Sequence, residues 1–287
     1  IYDKFLEWKK NSDGKTALLV EGARRIGKST IVEEFAKNEY ESYILIDFTK
    51  ASKEVLNLFD DISDLNYIFL RLQLIYHKEL HQRKSLIIFD EVQFCPKARQ
   101  AIKHLVADHR YDYMETGSLI SIRKNVKDIL IPSEERQVQM YPMDFEEWLW
   151  ANGIKPMHID YLRQCLDNEA PVDASIHSGF RELLHQYVIV GGMPEAVTAF
   201  LNTRQIGKVL SIQRRIVDEY KADMVKYALL ADKPKIRECF ESIPSQLSRE
   251  YKKFTFSMVR PGGRGRDYAG SLQWIEDAGI IRRCYNT

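Results

Sequence analysis

Little in this chain of 287 residues points to a membrane, a disulfide scaffold or a polyanionic partner. It has no run of eighteen apolar residues, which excludes a conventional spanning helix. Its first residues, Ile1-Tyr2-Asp3-Lys4-Phe5-Leu6-Glu7-Trp8, mix apolar and charged positions at helical spacing and lack the uninterrupted apolar stretch of a signal peptide. The four cysteines, Cys95, Cys165, Cys239 and Cys284, lie far apart with no C-x-x-C pair, so neither a disulfide framework nor a zinc site is expected, and a reducing cytoplasm fits. Lys+Arg of 42 against Asp+Glu of 41 leaves a net charge of +1, so any nucleic-acid contact must come from a local basic patch. There is no internal repeat or low-complexity tract. His77 and His81 form an i, i+4 pair on an expected helix, but they lack the intervening Glu and the third ligand of a metal site.

What is present is ordinary globular composition with a clear order. Ala17-Leu18-Leu19-Val20 is a short continuous apolar run, the mark of a strand buried on both faces of a parallel sheet. A glycine-bearing loop follows, then Ile31, Val32, Phe35 and Ala36 at helical spacing, then a second strand over Tyr43–Phe48: a right-handed βαβ unit. A helix over Asp64–Gln82 leads to the strand Ser85–Phe89, and a helix over Lys97–Ala107 leads to a strand over Tyr111–Glu115. A fifth strand is expected over Arg136–Tyr141. This predicts a three-layer α/β core with a five-stranded parallel sheet. Helices are expected at Asp144–Asn152, Phe180–Val190, Pro194–Asn202 and Gln205–Tyr227. Near the C-terminus a helix around Lys235–Glu241, a break at Pro244, a further helix to Ala278 and a strand from Ile280 suggest a winged helix. The expected division is a core at 1–150, a helical subdomain at 151–231 and a winged-helix domain at 232–287.

The strongest chemical signal is G-x-x-x-x-G-K-[ST], here Gly22-Ala23-Arg24-Arg25-Ile26-Gly27-Lys28-Ser29, set directly after a buried strand and opening a helix. Backbone N–H groups of such a loop converge on phosphate oxygens, the helix dipole adds to the attraction, and Lys28 supplies a point charge. ATP or ADP with Mg²⁺ is the expected ligand, with the Ser29 hydroxyl on the metal. Asp90-Glu91 closes the strand Leu86–Phe89, which is expected beside the first strand. Asp90 is the second metal candidate, and Glu91 the group that polarises the attacking water.

Other candidates carry a bland reading of equal or greater weight. Thr116 and Ser118 could contact the terminal phosphate or orient water, but Thr-Gly-Ser is also an ordinary helix-capping turn. Arg24 and Arg25 lie in the loop, where one could face phosphate. Arg136 is a candidate arginine finger, within the chain or across a subunit boundary, though exposed arginines are common. For Asp47, at the end of the second strand, a turn or cap is favoured over a role in holding water.

With those residues in place the chain resembles the prokaryotic AAA-type ATPases that carry a C-terminal DUF4143 region, relatives of the archaeal-type and STAND P-loop ATPases. The matching pieces are Glu21 to Thr30, Ile87-Ile88-Phe89-Asp90-Glu91-Val92-Gln93, Thr116-Gly117-Ser118, Tyr141-Pro142-Met143-Asp144-Phe145 and Gly191-Gly192-Met193-Pro194-Glu195-Ala196. The resemblance implies that Thr30 belongs to the nucleotide loop, that Gly192, Met193 and Pro194 contact the base, and that nucleotide state switches the angle between domains. The bland reading of Pro194 is a first-turn helix proline. The resemblance also implies a further domain like a restriction endonuclease beyond residue 287, so the chain is expected to be truncated.

Three functions follow as expectations: an ATPase switch acting on a protein partner or a homo-oligomer, a DNA-binding module using Arg260, Arg264, Arg266, Arg282 and Arg283 on and around the last helix, and a scaffold locked around a nucleotide with little turnover. Glu276 and Asp277 on that helix count against the second. No membrane partner is expected.

Overall fold

The computed structural model describes residues 1–118, 133–228 and 230–285. Two compact units emerge, one formed by Ile1–Met140 together with the chain from Tyr227 on, the other by Tyr141–Lys226. Among the described residues no helix is long and apolar enough to cross a membrane.

The first unit is built on five parallel strands, β1 (Ala17–Gly22), β2 (Ser42–Asp47), β3 (Ser85–Asp90), β4 (Asp112–Ser118) and β5 (Glu135–Met140), in the spatial order β2-β3-β4-β1-β5. Burial explains the order. Every residue of β3 and β4 is buried, as is nearly all of β1, and these three take the interior. The half-exposed β2 and the polar β5 lie at the margins, where one side of a strand meets solvent. The strand carrying Asp90 is therefore not beside β1, as the sequence suggested. β4 lies between them, pairing Val20 with Thr116 on one side and Phe89 with Glu115 on the other.

Side-chain alternation sorts the core into two layers. On one face Leu18, Val20, Leu86, Ile88 and Met114 pack with Phe5 and Trp8 of α1 (Tyr2–Ser12) and with Val32 and Phe35 of α2 (Lys28–Glu39). On the other, Leu19, Ile46, Ile87, Phe89 and Tyr113 meet α3 (Lys53–Asn57), α4 (Leu65–Tyr76) and α5 (Pro96–Asp108). Asp64 caps α4 by accepting from the Tyr67 amide at 3.0 Å. The helix stops well short of Gln82 because His77 turns left-handed at φ 51°, and Gln73 then captures the Leu80 amide at 2.9 Å. His77 and His81 thus share no helix.

The second unit holds α6 (Phe145–Ala151), α7 (Pro156–Asp167), α8 (Ala174–Val190), α9 (Pro194–Thr203) and most of α10 (Ile206–Tyr227) around Trp148, Leu149, Val190, Val197, Phe200 and Val209. α7 was not anticipated, and α8 begins at Ala174, where Asp173 caps it, not at Phe180. Gly192 is fixed by crowding: a Cβ there would lie 2.0 Å from the Met143 carbonyl oxygen, while the Met143 amide donates to the Gly192 carbonyl at 2.8 Å.

Residues 233–277 hold α11 (Lys233–Leu247) and α12 (Gly265–Asp277), joined by a loop with a 3₁₀ turn at Phe256–Met258. Pro244 does not break α11; it sits in the last turn, where few intrahelical bonds remain to be lost. No strand is described from Ile280 onward, so the wing of the expected winged helix is missing among the described residues. Arg283 explains part of this. Its amide donates to Glu276 at 3.1 Å and its guanidinium to the same carboxylate at 2.6 Å, so the chain folds back on α12 instead of pairing as a strand.

One buried acid runs against the apolar core. Glu115, in the middle of β4, is fully buried, and neither of its oxygens has a hydrogen-bond partner. Burial, and then the charge of Glu135, hold its carboxyl well above the usual range; Arg99 opposes this but is spent on Glu135 through a bidentate pair at 2.9 and 3.0 Å. Folded Glu115 keeps a proton that the unfolded chain releases, so stability should fall as pH rises past the ordinary carboxylate range. Thermal melts of Glu115→Gln should show the variant gaining on the native protein by about 1.4 kcal/mol per pH unit between pH 5 and 7. Parallel pH curves contradict that protonation state. Gly192→Ala should cost about 1–3 kcal/mol by overpacking, read by denaturant titration, and an unchanged midpoint contradicts the crowding at Met143.

Candidate functional site

The loop between β1 and α2 is shaped by its two glycines. A Cβ on Gly22 would meet the Met140 carbonyl oxygen at 2.4 Å and Ile26 at 2.6 Å, so β1 can run this close to β5 only with glycine. Gly27 takes φ 90° and ψ 20° as the N-cap of α2, a conformation that suits glycine. Arg25 also turns left-handed at φ 64°. No side chain caps α2, so its first amides and the positive end of its dipole open into the loop.

Lys28 opens α2 and is buried, with its ammonium donating to the carbonyls of Gly22 at 3.2 Å and Ala23 at 2.7 Å. Burial pulls its pKa down to about 8; Glu91 and then Asp90 pull it back up, and Arg24 lowers it. The next residue, Ser29, donates its hydroxyl to Asp90 Oδ1 at 2.6 Å. The same carboxylate oxygen accepts from the Thr116 hydroxyl, and Thr116 Oγ1 in turn accepts from the Glu91 amide at 3.1 Å. Thr116, Gly117 and Ser118 are the last residues of β4, and the helix that the capping reading needs lies outside the described residues.

Topology puts these groups in one place. In the strand order, β2 lies toward one margin from β1 and β5 toward the other from β4, and this reversal between neighbouring strands is what opens a crevice at the carboxyl ends of β1 and β4. The loop, Ser29, Asp90, Glu91 and Thr116 all stand at that edge. Glu91 holds φ 54° and ψ 48°, a left-handed conformation uncommon for a residue with a side chain, and its carboxylate accepts from the Gln93 amide nitrogen.

Arg136 is not brought there, and Asp47, the register partner of Asp90, is engaged in a turn. Arg136 pairs with Leu18 near the start of β5, four residues before Met140. At the usual strand rise this is about 13 Å from the loop end, which removes a finger role on its own chain's loop. It lies exposed in a groove lined also by Lys4, Glu7, Trp8 and Lys15. Asp47 forms a turn, accepting from the Thr49 amide at 2.9 Å and pairing with Lys50 at 3.0 Å. Met193 and Pro194 belong to the second unit, where Gly191 ends α8, Met193 is the N-cap of α9 and Pro194 its first residue. Gln93 was visible in the sequence but given no role; the signal was a carboxamide two residues beyond the acidic pair. Arg283 is held by Glu276. Among the described residues no cluster of three or more His, Cys, Asp or Glu side chains could hold a metal ion by itself.

No curated protein matches the chain. Residues 181–287 match a domain of unknown function, DUF8612, a different one from the DUF4143 that the resemblance implied. Among solved structures, the chain is similar to the Aeropyrum pernix ORC1 protein in complex with DNA at 12% identity and a TM-score of 0.37, covering 97% of this chain and 83% of that one. It is similar to PCH-2 of C. elegans at 12% identity and 0.36, covering 76% and 67%. The closed state of Hsp104 with ATPγS and FITC casein gives 9% and 0.38, covering 88% of this chain and 48% of Hsp104. These likenesses are too low to bear on function. Residues 14–149 match the AAA domain family, a span that encloses the loop, Asp90, Glu91 and Thr116. The five parallel strands give this part of the chain the α/β fold of a P-loop NTPase, and over residues 14–149 it is similar to the AAA domain family.

Proposed function

We propose that the AAA domain binds ATP or ADP with Mg²⁺ in the segment Gly22–Thr30, hydrolyses ATP, and thereby switches the state of the rest of the chain toward a protein partner. The observation that carries this reading is the bond from Ser29 to Asp90, at 2.6 Å, made across the crevice between a helix start and a strand end. A hydroxyl and a carboxylate converging beside a lysine form the oxygen donor set that suits Mg²⁺. The metal, when bound with nucleotide, would neutralise charge on the phosphates.

The chain's own groups have separable tasks. The amides of the loop and of the first turn of α2 cradle phosphate oxygens. Lys28 exchanges two carbonyl acceptors for phosphate oxygens, a trade of neutral for charged partners that favours the bound state. Thr116 holds both Asp90 and the Glu91 amide, so the metal candidate and the base candidate are set by one hydroxyl. Glu91 polarises the attacking water. Arg136, remote from its own loop, is available to the nucleotide of a neighbouring subunit, so its finger role requires a homo-oligomer. No observation favours DNA binding through α12: Arg283 is engaged by Glu276, and Arg266 lies 3.9 Å from Asp267.

Calorimetry and a turnover assay test this together. Glu91→Gln should keep Mg-ATP affinity within a few-fold and lower turnover by about 10²–10⁴, whereas Lys28→Ala should lose binding. Equal loss of binding and turnover in Glu91→Gln contradicts the assignment, and a wild type that binds but never turns over leaves the nucleotide-locked scaffold. Because Lys28 has a pKa of about 8 before phosphate arrives, affinity should weaken above pH 8 by up to about tenfold per pH unit, with proton uptake on binding. Affinity constant from pH 7 to 9.5 contradicts the role given to its charge.

A further inference from the structure

We propose that Gln93 is a positioning residue that fixes the Glu91 carboxylate for water activation; this rests on the ATPase reading above. Three observations converge on it. Gln93 is itself buried and donates its amide nitrogen to Glu91 Oε2, which leaves Oε1 for a water molecule. The turn that carries it is rigidly tied: the Phe94 amide donates to the Glu91 carbonyl at 3.0 Å, the Cys95 amide to the Val92 carbonyl at 3.0 Å, and Val92 is fully buried in the core. Among the charges acting on the Lys28 ammonium, that of Glu91 is the largest, which fits a half-buried carboxylate near the loop.

The chemistry of a carboxamide fits this task better than the alternatives. A lysine at this place would neutralise the base, and a second carboxylate would repel it. An amide donates a hydrogen bond without changing the charge. The other described restraints on Glu91 act on its backbone, namely the left-handed conformation, the bond from its amide to Thr116 and the bond its carbonyl accepts from Phe94, and none of them fixes the side-chain torsions. Gln93 supplies that missing restraint. In the step it serves, the water oxygen bonds to the terminal phosphorus while the bond to the bridging oxygen breaks. That electron pair leaves with ADP, and the proton passes to Glu91 Oε1.

The test compares wild type, Gln93→Leu, Gln93→Glu, Glu91→Gln and the double variant Glu91→Gln/Gln93→Leu in the full chain. Gln93→Leu should lower kcat by about 10–100-fold, the scale of a misplaced catalytic group, with KM and Mg-ATP affinity unchanged. The double variant should be no slower than Glu91→Gln alone. Gln93→Glu should lower kcat at least as far, because it replaces the donor with a second carboxylate that repels the first. A merely structural Gln93 would instead lower melting temperature and affinity along with kcat, and its effect would multiply with that of Glu91→Gln. Either that pattern or a Gln93→Leu variant as fast as wild type overturns the proposal while the ATPase reading stands. A wild type no faster than Glu91→Gln overturns both.

Discussion

The site depends on one buried carboxylate. Asp90 stands at the end of the interior strand β3, withdrawn from water, and an ionised group there is tolerable only if donors replace its hydration. Two hydroxyls do so, Ser29 from the start of α2 and Thr116 from the end of β4, and both converge on the same oxygen. Lys28 completes the arrangement as a buried cation whose own desolvation is partly offset by Glu91 and Asp90. Each charge is costly alone. Together they hold helix, loop and two strands in one geometry, and the same donors and acceptors are the ones a metal and a phosphate chain would take over.

That geometry requires β4 to lie between β1 and β3. Only a strand in that position carries a hydroxyl to the Asp90 carboxylate and to the amide of Glu91, and only a strand buried on both faces and both edges can occupy it. The same central placement makes Glu115 anomalous. One residue before Thr116, the chain turns a carboxyl into the opposite face of the sheet, beneath α5, where Arg99 is already committed to Glu135. A protonated Glu115 resolves the conflict, because a neutral acid costs far less to bury than a carboxylate.

Much of this was legible in the sequence, and the reasons are local. Ala17–Val20, Leu86–Phe89 and the loop between Gly22 and Ser29 carry their meaning in adjacent residues: continuous apolar runs, glycines at tight approaches, a lysine opening a helix. The pairing of Asp90 with Ser29 was implied by the motif, and the structure adds the distance. Strand order was not legible, because Thr116 reaches Asp90 across 26 positions of chain and nothing near either residue announces the contact. The end of α4 at His77 was missed since a left-handed histidine leaves no signature as plain as glycine. Pro244 misled in the other direction, because a proline in a final turn disturbs little. Arg136 looked like a finger from its strand alone; the register with Leu18 shows that it lies toward the far end.

The central claim is that Ser29 and Asp90, held by Thr116, form half of a divalent-cation site whose other half arrives with a nucleotide. Electron paramagnetic resonance of Mn²⁺, used in place of Mg²⁺, measures this directly. The account predicts that a single Mn²⁺ per chain is immobilised only when ADP or ATP is present, and that Asp90→Asn weakens this capture. Tight Mn²⁺ binding without nucleotide, or none with it, would contradict the account.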